Sequence, residues 1–326
     1  MALSISRTRR YAIWSCAGAL LAGCGGSQPP IGAPGAMPRT AAITTRADRG
    51  TSWMRPGTLS GSALLYVAGR KGGLYVFTYP QGQLVGEVGI PYATNSGDLC
   101  SDANGDIFVP DVDEVVEFAH GGTQPIATLE DGDGSYEPLG CSVDPTTGNL
   151  AVTNFRDYPG HGNVAVYANA QGDSTYYSDL EMPDPSFCGY DNQGNLFIDG
   201  GHLAELPNGS GNFANIKLNK RIPLGGQVQW DGTYITVASN NANTIYRLQI
   251  SGSTGKITGS THLKGPGRKA NSQSWIKGST IISPIGPGNA DDRVGFWGYP
   301  GGGKAFTILH PERNAEVIGS TVSVGP

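Results

Sequence analysis

The stretch "EVIGSTVSV" (316–324) lines up with "EPLGCSVDP" (137–145) from the middle of the chain. Glu316 falls on Glu137, Ile318 on Leu139, Gly319 on Gly140 and Val322 on Val143. The internal copy opens a four-strand unit. At the start of the pattern, "ALLYVAGRKGGLYVFTYPQGQLVGEVG" (63–89) holds only three strands and lacks the first. The terminal strand is therefore expected to complete that first unit. It would close the units into a ring and remove an edge open to pairing with other chains.

The units between these ends share one plan. A short strand runs into a turn with Asp and Gly, then come a hydrophobic strand, an alternating strand and a fourth strand after a Gly-rich turn. Clear copies begin "LCSDANGDIFVPD" (99–111), "GCSVDPTTGNLAVTNF" (140–155), "FCGYDNQGNLFIDG" (187–200) and "VQWDGTYITVAS" (228–239), with a weaker one at "QSWIKGSTIISPIG" (273–286). Asp suits such turns because its carboxylate bonds to backbone ahead of it, and Gly accepts the positive φ. Phe77, Phe118, Tyr167, Leu206, Leu248 and Trp297 mark the third strand of successive units. Their spacings of 41, 49, 39, 42 and 49 residues average 44. Four strands at that period predict a β-propeller. The count predicts an all-β, six-bladed propeller with four-stranded blades, spanning 61–326 and closed by 316–324.

The motifs "VDPTTGNLAVTN" (143–154) and "GNVAVYANAQG" (162–172) carry a resemblance. Over roughly 63–324 the chain resembles six-bladed propellers of the NHL-repeat and gluconolactonase-like superfamily, and more narrowly bacterial lipoproteins of unassigned role. The resemblance implies the architecture strongly. It implies little chemistry, since one scaffold hosts hydrolases, lyases, oxidoreductases and binding modules.

The N-terminus reads as an export signal. Arg7, Arg9 and Arg10 precede the short apolar run "YAIWSCAGALLAG", which ends in Leu21-Ala22-Gly23-Cys24. That tetrapeptide resembles the bacterial lipobox, so residues 1–23 are expected to be removed and Cys24 lipidated. Several acyl chains anchor stably where one is marginal. Gly25 and Gly26 follow the cysteine with no aspartate, which by resemblance to lipoprotein sorting implies the outer membrane. Residues 24–60 are rich in Gly, Pro, Ser and Thr without strand or helix periodicity, and read as a flexible tether.

Composition narrows the partners. Among 326 residues there are 50 Gly and 22 Pro, which suits short strands and tight turns rather than long helices. The formal charge is −5, and loss of the three leader arginines takes it to −8. No basic tract is present, so nucleic acid is not an expected partner. The chain is expected to act as a monomer.

Catalytic templates find little purchase. His120, His161, His202, His262 and His310 are scattered and form no i, i+4 pair. His161 lies in a long loop where a solvated histidine is the simpler reading. No G-x-S-x-G elbow is present. Cys100, Cys141 and Cys188 lie on consecutive first strands. Three is odd, and neighbouring inner strands are expected to splay beyond disulfide reach, so small buried side chains are the favoured reading over a Cys141–Cys188 bridge.

Carboxylates offer the remaining candidates. Residues leading into the inner strands are Ser96 with Asn95, then Glu137, Asp184, Leu224, Ala270 and Glu316. Converging carboxylates and amides would suit a hard cation such as Ca²⁺. The gluconolactonase-like resemblance implies a channel metal that polarises a lactone carbonyl. Leu224 and Ala270 break that ring, and solvated rim acids are the simpler reading. "DGDGSYE" supplies Asp131, Asp133, Ser135 and Glu137 at alternate positions but lacks the full calcium-loop pattern, and "GNADD" (288–292) is similar. Tyr158, Tyr176, Tyr177, Trp230 and Trp275 are aromatics suited to a glycan or peptide groove. Trp230 and Trp275 occupy corresponding places, which favours packing. These features favour a lipid-anchored binding or scaffold module for an envelope peptide, glycan or protein, with a metal-dependent lactone or ester hydrolase, or related lyase, as the alternative.

Overall fold

Among the described residues, runs of β-branched and aromatic residues separated by Asp/Gly turns form strands, with one 3₁₀ turn at Ala168–Ala170. The computed structural model describes residues 52–57, 62–70, 73–90, 98–131, 137–155, 161–178, 181–182, 184–239, 243–265, 273–285, 293–311 and 315–325. The leader, Cys24 and most of the tether lie outside the described residues. So do Asn95, Ser96, Asp133, Ser135, Tyr158, Ala270 and 288–292.

The first sheet contains β1 (Trp53–Met54), β2 (Leu64–Gly69), β3 (Leu74–Thr78) and β4 (Leu84–Val88). The second holds β5 (Cys100–Ser101), β6 (Ile107–Asp111), β7 (Glu114–Phe118) and β8 (Pro125–Glu130). The third holds β9 (Glu137–Val143), β10 (Leu150–Phe155), β11 (Asn163–Tyr167) and β12 (Ser174–Tyr177). The fourth holds β13 (Phe187–Tyr190), β14 (Leu196–Asp199), β15 (Leu203–Leu206) and β16 (Ala214–Asn215). The second, third and fourth run antiparallel in chain order, whereas in the first β1 pairs with β4 and the order is β1-β4-β3-β2.

The fifth sheet is a composite. After β17 (Lys217–Leu218) come β18 (Val228–Trp230), β19 (Ile235–Ala238), β20 (Thr244–Ser251) and β21 (Thr254–Lys264) as one antiparallel ribbon. A second ribbon holds β22 (Trp275–Lys277), β23 (Thr280–Ile285), β24 (Arg293–Gly298) and β25 (Gly302–Leu309). The backbone ladder between the ribbons is a parallel pairing of Leu263 with Gly303 and Lys264 with Lys304, and side chains such as Trp297, whose Nε1–H donates to the Lys264 carbonyl at 3.2 Å, add to it.

The last strand, β26 (Val317–Ser323), pairs antiparallel with β2, from Leu64↔Ser323 to Gly69↔Val317. All seven of its residues are buried. The alignment with the third unit holds even in its irregularity. The β2–β26 ladder steps from Gly319 to Val317, and the β9–β10 ladder steps from Gly140 to Pro138. A bulge thus falls at Ile318 in one and Leu139 in the other, as equivalent positions in a repeat require.

The core lies between successive sheets. Leu64 and Val76 pack on Ile107 and Phe118, then Phe108 on Val152 and Tyr167, and Ala151 and Val164 on Cys188 and Ile198. Phe197 and Leu203 meet Val228 and Leu248, Ile245 meets Ile276 and Trp297, and Ile282 and Phe296 return to Leu65 and Phe77. The circle closes on the first sheet. Phe77, Phe118, Tyr167, Leu206, Leu248 and Trp297 are all buried on third strands, as their spacing predicts.

The turns work as their chemistry requires. Asp102 accepts the Asn104 and Asp106 backbone N–H groups at 2.9 and 2.8 Å, and Asp191 accepts those of Gln193 and Asn195 at 2.8 and 3.0 Å. Gly105 follows at φ +88°, where a side chain would be strained.

Three readings of the sequence need correction. Cys100 and Cys141 form a disulfide across neighbouring inner strands, with Cα atoms 5.7 Å apart, and Cys188 remains a buried thiol. Inner strands converge near the axis rather than splaying, within the span a disulfide needs. Trp53–Met54, placed by sequence in a tether without strands, pairs with Glu87 and Gly86 on the outer edge of the first sheet. Trp230 and Trp275 are not equivalent. Trp230 faces Ile235 while Ile276 faces Ile281, so Trp275 precedes the matching position by one residue.

Candidate functional site

The inner strands bring together a polar cluster that the sequence reading did not anticipate. Asp98, just before β5, is 1% exposed. Its Oδ1 accepts the Leu99 backbone N–H and the Gln273 side-chain Nε2–H, both at 3.0 Å. Its Oδ2 accepts the Cys141 backbone N–H at 3.3 Å, and the Gln227 side chain lies in reach. Gln273 then clamps β26, donating from Nε2 to the Ser320 carbonyl and accepting the Ser320 N–H at Oε1, each at 2.9 Å. Gln229 holds Ile276 in the same two-bonded way, at 2.8 Å each. The buried Cys188 thiol on β13 feels the Asp98 charge. Strands β26, β5, β9, β13, β18 and β22, or residues just before them, thus meet around one carboxylate.

Electrostatics follow from burial. Loss of solvent pushes the Asp98 carboxyl up to about 7, while the four hydrogen-bond donors oppose that rise. Burial, with the Asp98 charge second, raises the Cys188 thiol well above its ordinary value, making it a poor nucleophile. Gln227 Oε1 and Ser320 Oγ have no protein partner. The cluster ties strands together and is closed to solvent at Asp98.

The rim acids behave differently. Glu137 is exposed at the start of β9, Asp184 is exposed ahead of β13, and Glu316 is half-buried at φ +52° before β26. Leu224 is half-buried. Among the described residues, no three His, Cys, Asp or Glu side chains gather to hold a metal. Asp98, the axial carboxylate, already spends both oxygens on N–H donors. The described residues therefore do not fit the channel metal that a gluconolactonase-like hydrolase implies. Asp131 is separate from the rim acids: it is fully buried, beside Asn154. Its carboxyl is pushed up to about 6 by burial.

Among the histidines, His120 is half-buried, with Nδ1 2.5 Å from Ser323 Oγ and Nε2 3.1 Å from the Ser62 carbonyl. Burial lowers its affinity for a proton. His161 is exposed just ahead of β11.

An open cleft of about 450 Å³ lies between the third and fourth sheets. Tyr177, Tyr190, Asp144, Asn149, Pro207 and Asn208 line it. The Asp144 carboxylate is committed to its own turn, accepting from the Thr146 N–H at 2.8 Å and the Thr147 hydroxyl at 2.6 Å. Asn149 Oδ1 accepts the Asn169 N–H at 3.0 Å, and Asn208 Nδ2 donates to the Gln193 carbonyl at 2.9 Å. The floor is thus pre-set by turn hydrogen bonds, with two tyrosine rings on the wall. Rings beside fixed amides suit ligands with both apolar and hydroxyl or amide faces. Of the sequence candidates, Tyr177 lines this cleft and Tyr176 is exposed beside it on β12.

No family model matches the chain, and no curated protein matches it. Solved structures do. A chain from a crystal structure of a nidogen/laminin complex is 13% identical, with a TM-score of 0.63 over 80% of this chain and 98% of that one. A protein of unknown function from Bacteroides caccae is 12% identical, with a TM-score of 0.59 over 81% and 99%. The β-propeller domain of Myceliophteria thermophila Cps50 (Swd1) is 10% identical, with a TM-score of 0.51 over 77% and 84%. At such identities the likeness concerns the fold alone, and that fold, an all-β propeller, is the one this chain adopts.

Proposed function

We propose that this protein is an exported, lipid-anchored β-propeller of six blades that binds a peptide, glycan or protein in the bacterial envelope. The blade count rests on the division of the fifth sheet into two four-stranded ribbons, whose backbone ladder to each other is two residue pairs long. The observation that carries the binding role is the contrast between axis and cleft. At the axis Asp98, Gln273 and Ser320 are buried, with Gln273 bonded to the other two, whereas the open cleft is lined by Tyr177 and Tyr190 together with amides held by turn hydrogen bonds. One similar propeller comes from a nidogen/laminin complex, so the scaffold is compatible with a protein partner. Anchoring at Cys24 and sorting to the outer membrane rest on "LAGC" and the glycines after it.

Two experiments test the reading. Palmitate labelling in a diderm host should mark the wild type and not Cys24→Ala. Purified protein should bind a subset of an array of envelope peptides and glycans. Tyr177→Ala should weaken that binding at least tenfold, and Tyr176→Ala by less. An unlabelled wild type would remove the anchor, and binding indifferent to Tyr177 would remove the cleft.

A further inference from the structure

Away from the axis, three side chains meet where β8 ends and β10 passes to β11. Asp131 follows β8 and is fully buried, as is Asn154 on β10, and Asn163 at the start of β11 is 4% exposed. Asn154 and Asn163 face each other in the ladder. Asn154 Nδ2 spends both hydrogens here, one on Asp131 Oδ1 at 3.0 Å and one on Asn163 Oδ1 at 2.9 Å. The Tyr167 hydroxyl donates to the Glu130 carbonyl at 2.9 Å and lies within hydrogen-bonding reach of the Asp131 carboxylate, to which its single proton is then not available.

That leaves Asp131 Oδ2 and Asn154 Oδ1 buried with no hydrogen-bond partner. They belong to groups already joined by one hydrogen bond. Buried carboxylate oxygens and amide carbonyls ordinarily find donors or a cation. Here the Asn154 donors are used up, and no cationic side chain offsets the burial of Asp131. The two unpartnered atoms are both oxygens, one on a carboxylate and one on an amide, and the residues bonded to them bring no imidazole or thiolate. Such a set suits a hard cation of the calcium kind rather than zinc or copper.

We propose that Asp131, Asn154 and Asn163 form a structural Ca²⁺ site, off the axis, that fastens the end of the second sheet's outer strand to β10 and β11 of the third sheet. Asp131 Oδ2 and Asn154 Oδ1 are direct ligands, and Asn163 Oδ1 joins them or keeps its bond to Asn154. Water completes the coordination. The site is independent of the binding role proposed above and includes none of the rim acids Glu137, Asp184 and Glu316.

The position of Tyr167 supplies the test. Detergent-solubilised full-length protein, freed of metal with chelator, is titrated with Tb³⁺ while tyrosine is excited, and with CaCl₂ by calorimetry. One Tb³⁺ per chain should give sensitised emission that Ca²⁺ displaces, and millimolar Ca²⁺ should raise Tm by several degrees. Asp131→Asn should weaken both ions at least tenfold, and Glu137→Gln should leave them unchanged. Tyr167→Phe should cut the emission several-fold while calorimetric Ca²⁺ affinity stays within a factor of about three. Absence of binding, affinity unchanged in Asp131→Asn, or affinity lost in Glu137→Gln would each overturn the site. Should Asp131→Asn fail to fold, Tyr167→Phe decides: undiminished emission places the ion elsewhere.

Discussion

Cys100 and Cys141 are covalently joined across two neighbouring sheets, one residue from the Leu99 amide that donates to Asp98. The bridge closes a segment with a sequence separation of 41 residues. In the chain-entropy account, a loop of that size stabilises by about 4 kcal/mol. Cys100→Ser/Cys141→Ser should lower the unfolding free energy by about that amount, read from guanidinium melts. The wild type under reductant should move the same way. A loss below about 1 kcal/mol would show that packing already holds these strands together.

Removing residues 316–326 should leave β2 without its inner partner. Val317, Ile318 and Val322 are each at most 2% exposed, and burying such side chains contributes about 1.5–3 kcal/mol apiece. The truncated chain should lose its cooperative thermal transition and associate on size-exclusion chromatography. A synthetic peptide of 315–325 added in trans should restore the transition. A truncated chain that melts cooperatively and stays monomeric would contradict the role of β26.

Stability should fall as the solution is made alkaline from pH 5. Burial holds the carboxyls of Asp98 at about 7 and of Asp131 and Asp199 at about 6, above their values in the unfolded chain. Between those limits the folded state binds more protons. The stabilisation is therefore complete below the unfolded values and lost as pH rises through 6 and 7. Urea midpoints in chelator at pH 5, 6, 7 and 8 should decrease in that order. Asp98→Asn should start lower at pH 5, by about 1–3 kcal/mol for the lost acceptor, and show a shallower decline. A wild-type midpoint that rises across this range would contradict the assignment.

Gly140 and Gly189 should resist even alanine. A Cβ on Gly140 would stand 2.7 Å from the Ser186 carbonyl oxygen, and one on Gly189 would stand 2.4 Å from that of Val228. Both obstacles are backbone on the next sheet, so the inner strands would have to separate. Each substitution should cost about 1–3 kcal/mol in a chemical melt, the range of overpacked cores. Gly172→Ser, at a turn with nothing within 4 Å, should cost less, its penalty arising from φ +68° alone.

The strand plan was readable because its determinants are local. Alternation, Asp/Gly turns and the buried third-strand residues from Phe77 to Trp297 all act within a few residues. Even the bulge at Ile318 is foreshadowed by its alignment with Leu139. The axial cluster was not readable by the same means. Asp98 meets Gln273 across 175 residues, and Gln273 meets Ser320 across 47. One signal was available: Asp98 and Gln227 each stand four residues before a turn aspartate, Asp102 and Asp231. The Cys100–Cys141 pair was missed for a related reason. Cys100 stands two residues before its turn aspartate and Cys141 three, so repeat alignment separates two side chains that convergence at the axis brings together.

The pairing of Leu64 with Ser323 also sets a timetable. Emerging from a ribosome, the first sheet has its outer strands long before its innermost one exists. It must wait for almost the entire chain, keeping the edge of β2 unpaired throughout. Contacts of such long range close slowly, and unpaired edges attract neighbours. A factor that shields β2 until Ser323 arrives would then govern yield more than any change that strengthens the finished ring.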